Sequence, residues 1–117
     1  MSPLKITAQD AATGPVLEIA GELDHVHANT LREVLTTLTL RPGQRLVLVL
    51  AAMEFCDSSG ITALIAAYRH AQAAHADFAL AAVPAPTRRI LRIVGLDQTF
   101  RLHPDSDTAT RPRPTTT

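Results

Sequence analysis

Residues 55–62 read FCDSSGIT, so Asp57, Ser58, Ser59 and Gly60 set a carboxylate, two hydroxyls and a glycine side by side. Such a set serves three kinds of chemistry: a catalytic elbow, a helix cap, or a hydroxyl that is modified as a switch. The elbow of serine hydrolases has the pattern G-x-S-x-G, because a glycine on each side lets the strand-to-helix turn close sharply enough to expose the serine. Here Cys56 stands where the first glycine belongs. The bases on offer are His25, His27, His70, His75 and His103. Their spacing brings none of them to Ser58, and a polar helix face accounts for His70 and His75. A small serine hydrolase is therefore a distant alternative.

A cap is the simplest reading. Asp57 or Ser58 can accept hydrogen bonds from the first free N–H groups of a following helix, a contribution of about 1 kcal/mol. Metal chemistry finds less support. Asp24, His25 and His27 are close in sequence, but no second ligand pair at a recognisable spacing completes a site, and a surface turn explains them. We expect no metal and no cofactor. Cys56 is the only cysteine, which excludes an internal disulfide and fits a reducing compartment. Just ahead of a helix its thiol could be acidified; a small core thiol is the plainer account.

The elements around these residues can be read from apolar spacing. PLKIT and PVLEIA, separated by AQDAATG, read as two strands. Leu31, Val34, Leu35 and Leu38 fall at helical spacing over about residues 27–39, and RPG ends that helix. Leu46 to Leu50 is an unbroken apolar run, the pattern of a central strand covered on both faces. Helical spacing returns from Ile61 through Leu64, Ile65 and Tyr68 to about His75, so DSSG marks the helix start; Leu48 and Ile65 are expected in the core. FALAAV (78–83) reads as a buried strand. A short helix with Ile90, Leu91 and Val94 follows, closed by Gly95, and Phe100 with Leu102 suits a last edge strand. Strands alternating with helices imply parallel pairs joined by right-handed crossovers, hence an α/β sandwich whose sites lie at the carboxyl ends of its strands.

The 117 residues suit one domain with one core. That core must be built from Leu, Val, Ile and Ala, since the chain has no Trp, one Tyr and three Phe. We assign residues 1–103 to the domain. Residues 104–117, which include DSDTATRPRPTTT, are polar and without apolar periodicity and are expected to form a disordered tail. Eleven basic residues balance eleven acidic ones, so no field recruits a polyanion, and nucleic acid is an unexpected partner. Arg88 and Arg89 read as a solvated helix face. MSPLKITAQD lacks a basic segment followed by a long apolar run, and no stretch approaches the roughly 18 apolar residues of a membrane span. The expectation is a cytoplasmic protein with no membrane partner.

GELDHVHANTL (21–31), the strand RLVLVLAAMEF, DSSGI and PTRRILRIVGLDQTF (86–100) occur in an order and spacing that resemble the STAS domain family, in particular its stand-alone bacterial anti-sigma-factor antagonists. The resemblance covers roughly residues 4–103. It implies a mixed sheet with helices packed mainly on one face and a non-enzymatic binding function. The implied partner is an anti-sigma factor that is also an ATP-dependent serine kinase; binding frees the sigma factor, phosphorylation of the D-S-[ST]-G serine ends the binding, and a phosphatase reactivates the protein. By this likeness Ser58 is the phosphoacceptor, with Ser59 the alternative. Gly21, Glu22, Leu23 and Asp24 match the loop bordering it, and Asp57, Ser58, Ser59, Gly60, Ile61 and Thr62 complete the implied partner-binding set. Asp24 and Asp57 are the candidates for shaping the site and pairing with basic kinase side chains. Thr62 stands where many members carry a second glycine, a departure that bears on which kinase fits. The alternative within the same fold is a STAS subunit of a larger assembly, such as a transporter component or a stress complex.

Overall fold

Strands β1 (Lys5–Ala11) and β2 (Gly14–Leu23) form an antiparallel hairpin around Ala12 and Thr13. A Cβ on Gly14 would collide with the Arg45 carbonyl oxygen, so the turn can lie against the next strand only with glycine there. Helix α1 (Ala28–Thr37) crosses over to β3 (Arg45–Cys56), α2 (Ser58–Ala73) to β4 (Asp77–Ala81), and α3 (Ala85–Ile93) with a 3₁₀ turn (Leu96–Gln98) to β5 (Arg101–His103). The sheet order is β1-β2-β3-β4-β5, with every pair after the first parallel. This computed structural model describes residues 3–112. The α/β sandwich with a mixed sheet is thus what forms, and the expected strands and helices are all present with ends shifted by a few residues.

Alternation along the strands divides the interior in two. Leu17 and Ile19 of β2, Leu46, Leu48 and Leu50 of β3, and Phe78 and Leu80 of β4 share the main core with Leu31, Leu35, Ile61, Leu64 and Leu91 from the helices. Tyr68, Phe78 and Phe100 stack at centroid distances of 5.9, 5.5 and 5.3 Å, joining α2, β4 and the entry to β5. Leu48 is fully buried as expected. Ile65 differs: it is only half-buried and packs on the core from its margin, because Ile61, Leu64 and Ala71 occupy the inward stripe of α2.

Val47 and Val49, which interleave with the leucines of β3, face the opposite side with Ala79 and Ala81. What covers them corrects the expected tail at residues 104–117. Ser106–Ala109 form a one-turn helix, α4, capped by the Asp105 carboxylate, which accepts from the Thr108 N–H at 2.8 Å. Ala109 is fully buried among these small side chains. The nearly buried Arg45 donates through Nη1 to the carbonyls of Ala109 (2.7 Å) and Arg111 (2.8 Å), and the Thr13 hydroxyl donates to the Thr110 carbonyl (2.9 Å). A segment with one apolar side chain to offer is ordered because backbone acceptors find buried or half-buried donors. Residues 113–117 of the expected tail lie outside the described residues.

Candidate functional site

Parallel β2 and β3 end together at Leu23 and Cys56, so the loops that follow them meet at the carboxyl edge of the sheet. The pairing shifts register between Gly21 and Glu22, and Gly21 takes φ 88° there, a left-handed value open to glycine at low cost. Beyond Val49 the β3 strand has no β4 partner and pairs with β2 alone up to Cys56, so its end is open on the β4 side and delivers Asp57 to the carboxyl edge of the sheet.

Asp57 caps α2. Its Oδ1 accepts from the Gly60 N–H at 3.0 Å, and its Oδ2 accepts from the His25 N–H at 3.3 Å with the His25 Nδ1 3.9 Å away. One carboxylate therefore closes the helix and holds the neighbouring loop. That loop is organised by Asp24, whose Oδ1 accepts from the N–H groups of Val26 (3.1 Å) and His27 (3.0 Å) and pairs with His27 Nδ1 at 2.8 Å. Burial works against the Asp24 charge, but the bonds from the His27 ring, the His27 and Val26 backbone and the His27 charge outweigh it and hold its carboxyl below the usual range. Both carboxylates expected to face a partner's basic groups are thus engaged within the chain.

Gly60 is required by space. A Cβ there would collide with the Leu23 carbonyl oxygen and lie 2.6 Å from the Cys56 sulfur. The start of α2 rests directly on the ends of β2 and β3 because this residue has no side chain. Burial, with the Asp57 charge adding to it, pushes the Cys56 thiol up to about 12, so it is an inert core group and not a thiolate.

With Asp57 as the cap, Ser58 is the first helical residue. It is exposed, and its hydroxyl makes no hydrogen bond among the described residues. Ser59 is half-buried and lines a groove of about 220 Å³ with His25, Asn29, Arg32 and Thr62. Thr62 is exposed and its hydroxyl donates to the Ser58 carbonyl at 3.0 Å, so the β-branched residue costs the helix little. Of the remaining candidates, Gly21, Leu23, Gly60 and Ile61 are buried and set positions, while Glu22 is half-buried at the rim.

No histidine ring bonds to either serine hydroxyl, and no group of three or more metal-ligating side chains is assembled, among the described residues. No described helix is long and apolar enough to cross a membrane. A cleft of about 430 Å³ beside Arg45 and Pro112 lies at the amino ends of β3 and β4 and shares no residue with the serine site. Two exposed apolar side chains that spacing did not single out lie on the elements that lead into the site: Val26 on the loop after β2 and Phe55 near the end of β3. Phe55 lies in a strand that is apolar for most of its length; only the end of β4 pairing leaves it uncovered.

A sequence model described as the STAS domain matches residues 5–109. A protein of Mycobacterium tuberculosis named anti-sigma-F factor antagonist RsfB is 33% identical over 99 residues, which span 85% of this chain and 80% of that protein. The crystal structure of an anti-sigma factor antagonist from Mycobacterium paratuberculosis superposes with a TM-score of 0.79 at 31% identity, covering 91% of this chain and 90% of that one. The unphosphorylated form of the anti-sigma factor antagonist SpoIIAA shares the fold with a TM-score of 0.72 at 17% identity over 90% and 92% of the two chains. Fold, motif order and family match agree, and the chain belongs to the STAS domain family.

Proposed function

We propose that the protein is an anti-sigma-factor antagonist, a non-catalytic cytoplasmic module that binds an anti-sigma factor with serine kinase activity and frees the sigma factor. Phosphorylation of Ser58 ends the binding, and a phosphatase restores it. One observation carries this reading beyond the family likeness: Asp57 performs the capping, which leaves the Ser58 hydroxyl exposed and uncommitted at the first position of α2. A serine whose hydroxyl was held as the cap would be turned in toward the helix N–H groups and less open to a kinase.

The geometry supports a switch that acts on the surface and spares the fold. A phosphoserine brings about −1.5 to −2 charges, which a helix amino terminus tolerates through its free N–H groups and its dipole. The same charge would stand beside Asp57, with Asp24 and Glu22 on the adjoining strand end and loop. A partner surface fitted to a neutral hydroxyl then meets clustered negative charge and a desolvation cost with no compensating pair.

The test is incubation with ATP, Mg²⁺ and each purified anti-sigma factor encoded in the same genome, followed by phosphosite mapping and titration calorimetry. Label is expected on Ser58, lost in Ser58→Ala and kept in Ser59→Ala. Ser58→Asp should bind at least about tenfold more weakly at an unchanged melting temperature. Label on Ser59 alone would reassign the acceptor. Normal binding by Ser58→Asp would remove the repulsion mechanism.

A further inference from the structure

Helix α3 buries only Thr87 and Leu91, which lie four residues apart on one line. At 100° per residue, Pro86, Ile90, Ile93 and Val94 fall along one flank of that line, Arg88 and Arg92 along the other, and Arg89 on the outward ridge between the two flanks. The apolar flank is open: Ile90, Ile93 and Val94 are 37%, 75% and 56% exposed. It also continues into a concavity. A groove of about 240 Å³ runs between α3 and the end of β3, walled by Met53, Phe55 and Cys56 on one side and Pro84, Pro86 and Ile90 on the other, with Glu54 also on the strand side. Phe55 is 51% exposed there and stands three residues before Ser58.

We infer that this groove and the apolar flank of α3 form a second docking surface for the anti-sigma factor, filled by an aliphatic or aromatic side chain on a segment that carries carboxylates beside it. The inference rests on the antagonist reading and adds the part of the interface that holds the partner apart from the serine that releases it. Continuity is one argument, since the groove shares Cys56 and Phe55 with the strand end that presents Asp57 and Ser58. Charge is the second. Among the described residues Arg88, Arg89 and Arg92 form no ion pair and are all exposed, so a segment that leaves the groove past Glu54 and crosses the helix meets a positive strip open to its carboxylates. Shape decides against a bilayer: a flat surface resting on α3 would touch Ile93 and Arg89 and leave the Phe55–Ile90 groove unfilled, whereas a protruding side chain fills it.

The experiment titrates each purified anti-sigma factor of the same genome into the full chain, wild type and variant, with melting temperatures recorded in parallel. Ile93→Asp should weaken binding by about tenfold or more with an unchanged melting temperature. The Arg89→Glu, Arg92→Glu double variant should weaken it too, with the larger deficit at low salt. Thr7→Asp, exposed on edge strand β1, serves as the remote control and should bind as wild type. If an anti-sigma factor binds Ile93→Asp and the arginine variant as tightly as wild type, the docking surface is wrong and the serine switch stands. If none binds the wild type, the antagonist reading falls and takes this inference with it. Cosedimentation with phosphatidylglycerol vesicles that Ile93→Asp abolishes would overturn the protein partner in favour of an anionic membrane.

Discussion

Replacing Asp57 by Ala separates the two duties that the DSSG stretch combines. The substitution removes the acceptor for the Gly60 N–H and the acceptor that holds the His25 N–H across 32 residues of chain. Loss of a cap costs about 1 kcal/mol. A single hydrogen bond to a carboxylate that is partly open to water adds roughly another 1 kcal/mol, the low end for charged acceptors. The sum is about 2 kcal/mol. With an unfolding entropy of about 2.1 cal/mol/K per residue, a chain of this length loses roughly 8 °C of melting temperature for that sum. Asp57→Asn keeps a carbonyl oxygen and should lose only about half as much. Ser58→Ala removes no bond and should stay within about 0.5 kcal/mol of wild type. Differential scanning calorimetry on the three variants reads these values directly. If Asp57→Ala melts with the wild type, or Ser58→Ala falls as far as Asp57→Ala, the separation of cap from acceptor is refuted.

Gly60→Ala should cost about 1–3 kcal/mol or more by urea denaturation, since its Cβ meets the Leu23 carbonyl and the Cys56 sulfur. Gly43→Ala meets nothing within 4 Å and should cost about 1 kcal/mol for its φ of 86° alone, so equal costs at the two sites would contradict the close approach of α2 to the strands. Deleting residues 105–117 should lower stability by about 2–4 kcal/mol through exposure of Val47, Val49, Ala79 and Ala81 and release of the Arg45 contacts; an unchanged urea midpoint would mean that α4 contributes nothing. Cys56 should resist iodoacetamide at pH 8 in the native protein and react once unfolded, because its thiol is held protonated up to about 12; rapid native alkylation would show an exposed thiolate.

Periodicity alone determined most of the sandwich. The apolar run from Leu46 to Leu50 demanded a strand covered on both faces, and the spacing from Ile61 to Tyr68 demanded a helix beginning at DSSG, because a long element that buries a face must repeat its apolar residues at its own period. The motif thereby places the candidate site at the strand-to-helix junction. The identity of the second cover lay beyond that reasoning. A one-turn helix with a single buried alanine has no period to display, and its order depends on Arg45, which is 64 residues distant from Ala109 in sequence. The division of labour between Asp57 and Ser58 was equally hidden, since either residue type can cap a helix, and only the backbone position of Asp57, with His25 brought beside it by the parallel pairing of β2 and β3, selects one. The exposure of Ile90, Ile93, Val94 and Phe55 could not be read from residue type. Whether an apolar side chain finds cover depends on which neighbouring element ends first, and that is settled by the register and length of strands far apart in the chain.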